Sequence, residues 1–458
     1  MQQIWSEDRK YTTWRRLWLA LAKGQMKLGL PINSSQITAL EENLENINYQ
    51  NAAKYEKELR HDVMAHLHAL GDLAPESRPI LHLGATSQYL NCNTELIQLN
   101  ESMKLILEKI NLLIILLGKK ATEWKNIPVI GWTHYQTAQP TTAGKRAACW
   151  GYDFFLVVES IENSINSLRF RGIKGATGTQ ASFLALFDGD KDKVEDLDKF
   201  ITEFMGWNIH KRLTVTGQTY PRVIDSLILG DLAAASSVLH KFATDIRLLS
   251  NLGEIQEPFG NKQIGSSAMP YKRNPMRSER ICALSRFVMN LLPNSLHTNA
   301  TQWLERSLDD SANRRLTLPE SFLALDGALD LAINVAEGMI LNISICAKRL
   351  KKELPFFASE NLMMAATALG HDRQNVHEMI RKCSMKAKQD LANGSEENTL
   401  LNLLKESPLF KEVDFDSITD PSKYIGLAPL QVEKFVSEIV TPIKNKQKIL
   451  KISKEPSV

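Results

Sequence analysis

Five segments of this chain carry apolar residues at helical spacing for about 30 residues each, without internal caps. They run from about Thr94 to Trp124, from Thr142 to Arg169, from Pro221 to Asn251, from Pro275 onward, and from Ser311 to Leu341. Helices of that length reach ~45 Å, which predicts a bundle of long helices rather than short helices packed crosswise. Several are apolar on more than one face, and DLAAASSVLHKFA (Asp231 to Ala243) adds small residues suited to close helix contact. A helix apolar all round must be buried. One chain cannot cover all five, so a homo-oligomer with a shared central bundle is expected. Segments of alternating polarity are scarce, which leaves sheet a minor component at most.

At 458 residues the chain exceeds one ordinary core. The expected organisation is three helical domains, at 1–87, 88–341 and 342–458, with GLAP (Gly426 to Pro429) and DPSK (Asp420 to Lys423) as turns in the last. KNKQKILKISK (Lys444 to Lys454) reads as a solvated helix face. A net charge of +3 is near neutral for this size and disfavours a general nucleic-acid binder. Five scattered cysteines without a CxxC pair argue against a disulfide framework or a cysteine-built zinc site, and a reducing, cytoplasmic setting is expected. No signal peptide is legible, and the most apolar run, Leu112 to Leu117, is far below membrane-spanning length.

Four constellations carry chemistry. In GSSAMPYKRNPMRSER, starting at Gly265, Asn274 and Pro275 read as N-cap and first residue of a helix. A loop ending at a helix N-terminus, with Ser266, Ser267 and Lys272 on it, suits negative charge beside a candidate proton acceptor. A solvated loop with incidental charge is the plainer reading. In GWTHYQTAQPTTAGKR, His134 lies in a loop ahead of a long helix, and histidine is the side chain best suited to proton transfer near neutral pH. In RHDVMAHLHAL, Arg60, His61 and Asp62 make a polar edge, while the histidine spacing does not fit a helical zinc site. In WLERSLDDSANRR, Arg306, Arg314 and Arg315 are cations able to grip phosphate or carboxylate, or else an exposed salt-bridge network. GATGTQ (Gly175 to Gln180) and TGQTYPR (Thr216 to Arg222) are weaker glycine and amide loops.

Together these stretches carry a resemblance. GSSAMPYKRNP resembles the signature loop of the fumarase/aspartase superfamily. YKRNPMRSER, with TWRRLWLALA, LHLGATS, THYQTAQPTTAGKR, FRGIKGATGTQASFL, TGQTY and DDSANRR, resembles the adenylosuccinate lyase family within it, over nearly the whole chain. The resemblance implies an all-α subunit of three helical domains and a homotetramer whose active sites are each built by three subunits. It implies a nucleotide substrate, no metal and no organic cofactor, with no nucleic acid or membrane as partner. The activity implied is cleavage of adenylosuccinate to AMP and fumarate, and of the analogous succinyl-carboxamide ribotide.

Residue by residue, the resemblance makes Ser266 the general base and His134 the general acid. Lys272 and Asn274 would hold the succinyl part, and Glu279 would be a carboxylate of the histidine system. Arg60, His61, Asp62, Thr86, Ser87 and Gln218 would contact substrate, joined by Arg280, Arg306, Ser311 and Arg315 from later helices. The family also carries an Arg-Tyr pair ahead of the region that here begins IWSEDRKYTTW. Arg9 and Tyr11 stand near it in another register, and a weaker phosphate grip is the expectation. Two rivals remain: another enzyme of the superfamily, which YKRN disfavours, and a member that has lost catalysis and serves as a scaffold.

Overall fold

A computed structural model describes residues 1–260 and 262–446. The chain is predominantly helical. The helices used below are α1 (Glu7–Lys27), α2 (Ser34–Glu42), α3 (Tyr49–Leu59), α4 (Asp62–Leu73), α5 (Ser87–Glu123), α6 (Ala143–Ser167), α7 (Ala181–Leu186), α8 (Lys191–Phe204), α9 (Val223–Asn251), α10 (Met276–Ala300) and α11 (Asp310–Gly338). The five long segments read from periodicity are α5, α6, α9, α10 and α11. Helix α5 starts seven residues earlier than the pattern announced, at Ser87 rather than Thr94.

Local chemistry explains the shorter helices. The Ser6 hydroxyl accepts the Arg9 N–H at 3.1 Å, and Glu7 and Asp8 fill the first turn of α1. Asn33 and Gln36 form a capping box at the start of α2. Asp190 caps α8. Along α1, Trp14, Leu17, Trp18 and Leu21 return to one face at helical spacing and are fully buried or nearly so.

By contacts the chain divides into two compact units, each assembled from three stretches. One comprises Met1–Glu108, Val157–Ser237 and Leu284–Ala328. Its core joins Trp14 and Trp18 to Val63, Tyr89, Phe170, Phe183 and Leu197. The other comprises Lys109–Leu156, Val238–Ala283 and Leu329–Val458. It holds a cluster around Leu362, Val376, Leu400 and Phe410. DPSK, expected as a turn, is instead Asp420 capping the short 3-10 helix Pro421–Tyr424, and in GLAP only Gly426, at φ +52°, and Leu427 form a turn, while Ala428 and Pro429 open the next helix. Of the basic end, Lys444 to Lys446 close the final helix, and the remainder lies outside the described residues.

Sheet is confined to two small antiparallel pairs among the described residues. One corrects a reading: the segment around His134 is not a loop but a hairpin, β1 (Pro128–Thr133) with β2 (Gln136–Thr142). His134 and Tyr135 form its two-residue turn at φ +54° and +56°, the backbone a type I′ hairpin turn requires. The register shifts between Ile130 and Trp132. There a Cβ on Gly131 would lie 2.4 Å from the Gln139 carbonyl oxygen, so only glycine fits the crossing.

Helix α9 is long and apolar enough by composition to cross a membrane, although half of its most apolar window is buried within the protein. Its carboxylates are engaged inside that fold. Asp231 accepts from Ser160 at 2.6 Å and from Ser164, and Asp225 is paired as described below.

Candidate active site

The first unit gathers the cations. Arg314 lies at the centre of a buried network. Its Nε donates to Asp225 at 2.6 Å, and Nη2 donates to Glu95 at 2.8 Å and to the Tyr220 hydroxyl. Tyr220 donates to Asp225 at 2.6 Å, and Arg222 Nε donates to Asp310 at 2.7 Å. Burial pushes Glu95 toward its neutral form, but Arg314 and Arg222 outweigh it and hold the carboxyl below its ordinary range. The salt-bridge network of the DDSANRR stretch is therefore buried at Arg314, 5% exposed, and Asp310, 1%, and among the described residues only the Arg315–Asp62 pair is exposed. Arg314 spends its donors on this frame and is not a free gripping cation.

Around the frame lies a cavity of about 170 Å³, lined among others by Lys10, Arg222, Arg306, Ser311 and Arg315. Three of the expected site residues thus share one cavity. Arg315 reaches out of it to Asp62 at 3.1 Å. His61, half exposed, caps α4 by accepting the Met64 N–H at Nδ1, and its Nε2 lies 3.4 Å from the Ser87 hydroxyl. Arg60 precedes it in left-handed backbone, φ +55°, with its side chain in solvent. The Thr86 hydroxyl is buried without a hydrogen bond.

Gln218 enters by loop packing. A Cβ on Gly178 would lie 1.8 Å from the Thr216 carbonyl oxygen, so GATGTQ and TGQTYPR meet backbone to backbone. The Gln218 N–H donates to the Glu305 carbonyl at 3.1 Å, next to Arg306. His61, Asp62, Ser87 and Arg315 are therefore linked by contacts, Arg60 adjoins them only along the chain, and Gln218 is tied to the residue preceding Arg306.

The second unit carries the proton-transfer candidates. The loop from Gly265 closes on itself: Asn274 Nδ2 donates to the Gly265 carbonyl at 2.9 Å. Gly265 must be glycine, because a Cβ there would lie 2.1 Å from the Lys272 carbonyl oxygen. Inside the loop the Ser266 hydroxyl accepts the Met269 N–H at 3.1 Å, and the Lys272 N–H donates to the Met269 carbonyl at 3.0 Å. Lys272 is exposed and has no ion pair among the described residues.

One expectation for this loop is corrected. Asn274 is not the side-chain cap of the following helix. That part is played by Glu257, whose carboxylate accepts the Ser278 N–H at 2.6 Å and the Arg277 N–H at 3.1 Å. The first turn of α10 is already occupied by the Glu257 carboxylate, which offsets the positive field of that helix end.

His134 is exposed at the hairpin tip, and Glu279 and Arg280 are exposed on the first turn of α10. No hydrogen bond or ion pair joins His134 to Ser266, Lys272 or Glu279 among the described residues. Behind the hairpin, Arg146 Nη2 donates to the Ile130 carbonyl at 2.7 Å, beside the register shift. Arg146 also lies 3.9 Å from Glu254, which Arg349 approaches at 3.3 Å. Burial raises the Glu254 carboxyl, against the pull of both guanidiniums.

Sequence reasoning missed Lys10, Glu95, Arg222, Asp310 and Glu257. Lys10 falls in SEDRKYTTW, near the Arg9 and Tyr11 that the resemblance placed in another register, and no motif singles it out. The others are partners through space, at separations no local pattern encodes.

A family model described as "Lyase" matches residues 1–290, and one described as "Adenylosuccinate lyase C-terminus" matches residues 355–435. The family match places this helical chain among the lyases. The crystal structure of 3-carboxy-cis,cis-muconate lactonizing enzyme from Pseudomonas putida superposes with a TM-score of 0.83, at 23% identity and covering 97% of each chain, which shows the fold. The chain is 45% identical over 451 residues to adenylosuccinate lyase of Schizosaccharomyces pombe, covering 96% of this chain and 92% of that one. It is 44% identical over 447 residues to the Saccharomyces cerevisiae adenylosuccinate lyase, with the same coverage. The chain belongs to the adenylosuccinate lyase family.

Proposed function

We propose that this lyase eliminates fumarate from adenylosuccinate to give AMP, and from the succinyl-aminoimidazole-carboxamide ribotide of purine synthesis, with Ser266 as base and His134 as acid. The Ser266 alkoxide takes the proton from the carbon beside a succinyl carboxylate. The electron pair left on that carbon closes the C=C bond of fumarate as the C–N bond breaks, and the leaving nitrogen takes its proton from His134. A serine hydroxyl is a weak acid, so the cation of Lys272 near the loop is what makes an alkoxide-like base accessible. Asn274 holds the loop closed while Lys272 meets the charge that develops on the carboxylate. On the turn that follows, Arg280 adds a cation for substrate binding, and Glu279 is the carboxylate of the histidine system.

The observation that carries this reading is the loop itself: a ten-residue closure, stapled at Gly265 and Asn274, presenting Ser266 and a Lys272 without an ion pair among the described residues. The nucleotide end falls to the cluster of Arg60, His61, Asp62, Thr86, Ser87, Gln218, Arg306, Ser311 and Arg315. We assign the working form as a homotetramer with sites shared between subunits, each subunit organised as three helical segments. In support, long helices expose large apolar residues: Leu227 is 63%, Leu316 67% and Leu296 52% exposed. Five unpaired thiols suit a cytoplasmic location.

The test is complementation. Ser266→Ala and His134→Ala proteins, each inactive alone, are mixed under conditions where subunits exchange. Hybrid tetramers should recover fumarate release, because some sites then hold both intact groups. Mixed tetramers confirmed by mass but without activity would place both groups in one subunit and overturn the shared-site assignment.

A further inference from the structure

Lys10 was not among the residues that the resemblance brought to the site. It lines the same cavity as Arg306, Ser311 and Arg315. Its ammonium has no hydrogen bond or ion pair among the described residues. Its neighbours are the Trp14 ring, 4.9 Å from Nζ to centroid, and the Tyr11 ring at 5.2 Å. Two further cationic donors on this lining are unspent. Arg306 Nη1 is buried without a hydrogen bond, and so is Arg222 Nη1, which stands 3.9 Å from Glu95. A buried charged donor left unmade is costly. Two such donors on one small cavity, beside the half-buried and unpaired Lys10 ammonium, mark a place completed by an anion.

We propose that Lys10 is a substrate-binding residue which, with Arg306, grips the phosphate monoester of the nucleotide in this cavity. The inference rests on the substrate being a nucleotide. A phosphate offers three terminal oxygens to three unspent donors, whereas a carboxylate offers two. The pairing elsewhere in the cavity supports this division of labour: Arg314 and the Arg222 Nε are consumed by Asp225, Glu95 and Asp310, and Lys10 is not.

The charges around Lys10 add a signature. Its pKa is lowered by burial first and by Arg315 second, against the pull of Asp62, Glu95 and Glu7. Tyr11 on its own helix and His66 on α4 also face this group, and burial keeps both of them uncharged. An incoming dianion favours the protonated ammonium. Phosphate affinity should therefore be full while free Lys10 is protonated and fall as pH rises through its depressed pKa.

The test is calorimetric binding of AMP, which has the phosphate and no succinyl group, and of fumarate, which has the reverse. Wild type, Lys10→Met and Lys10→Arg are compared at neutral and alkaline pH, with thermal melting as a fold control. Lys10→Met should weaken AMP roughly tenfold to a hundredfold and leave fumarate unchanged. Lys10→Arg should restore AMP binding and remove its alkaline loss, an outcome that a merely structural lysine would not give. AMP affinity within twofold of wild type in a folded Lys10→Met protein overturns the proposal, as does weakened fumarate with AMP intact. AMP binding involves neither Ser266 nor His134, so an error in those assignments, read separately by fumarate release, leaves this measurement standing.

Discussion

Asn274 closes the loop that carries Ser266 and Lys272 through one hydrogen bond, 2.9 Å from its Nδ2 to the Gly265 carbonyl oxygen. The bond ties the residue before Ser266 to the second residue after Lys272, so base and cation share one small closed frame. Asn274→Ala removes a bond worth about 1 kcal/mol. It should lower kcat by about fivefold to tenfold, with little change in melting temperature. Gly265→Ala forces the Lys272 limb to move and should cost more, on the order of a hundredfold. Steady-state kinetics of both variants against the same substrate check the order, and equal activity in all three proteins would remove the closure from the mechanism.

Glu257 should matter to stability through its cap on α10. Loss of a side-chain cap costs about 1–2 kcal/mol. The expected order of urea midpoints is wild type, then Glu257→Gln, then Glu257→Ala, since the amide keeps one acceptor oxygen. A Glu257→Ala protein as stable as wild type would show that the two N–H groups of Arg277 and Ser278 find other partners at no cost.

That cap also shows where sequence reading stops. The long helices were legible because periodicity over many turns is a local signal. The hairpin at His134 was not: its turn is His-Tyr rather than Asn-Gly, and Gly131 and Pro140 break the alternation that marks strands. The site's residue types were legible from GSSAMPYKRNP and DDSANRR, but the fate of each charge was not. Arg314 and Arg315 are neighbours in sequence, yet Arg314 is locked to Asp225 and Glu95 while Arg315 is exposed beside Asp62. Only the through-space partners separate the two roles.

The Arg314 network predicts strong non-additivity. Arg314→Met leaves Asp225 buried without its cation, and breaking such a pair costs about 3–5 kcal/mol. Asp225→Asn alone should also destabilise. In the double variant the two losses should sum to less than their total, with a coupling of about 0.5–3 kcal/mol. Denaturation of the four proteins in one cycle measures it, and strict additivity would mean that Arg314 and Asp225 do not act as a pair.

His66 and His82 predict an acid-side loss of stability. Burial, with Lys10 and Arg15 adding to it, depresses His66 to about 4, and its ring stacks on Tyr11 at 3.7 Å. Burial and then His61 depress His82 to about 4, and its Nδ1 accepts from Trp18 at 3.0 Å. The unfolded chain would protonate both near their ordinary 6.5. Depressed folded values mean that stability is full above 6.5 and is lost as pH falls toward 4. Inside that window the slope for two protons approaches about 2.7 kcal/mol per pH unit. Urea midpoints at pH 7.5, 6 and 5 should fall in that order, with a smaller fall in His66→Phe, and a flat profile would mean that the two rings already bind protons in the folded state.

The most direct measurement of the central claim is fumarate release from adenylosuccinate by purified protein, wild type against Ser266→Ala, with binding of AMP followed in parallel. Wild type should release fumarate and AMP in equal amounts. Ser266→Ala should lose about 10²–10⁴-fold in turnover while binding AMP as wild type does. A Ser266→Ala protein that turns over near the wild-type rate would contradict the assignment of Ser266 as the base.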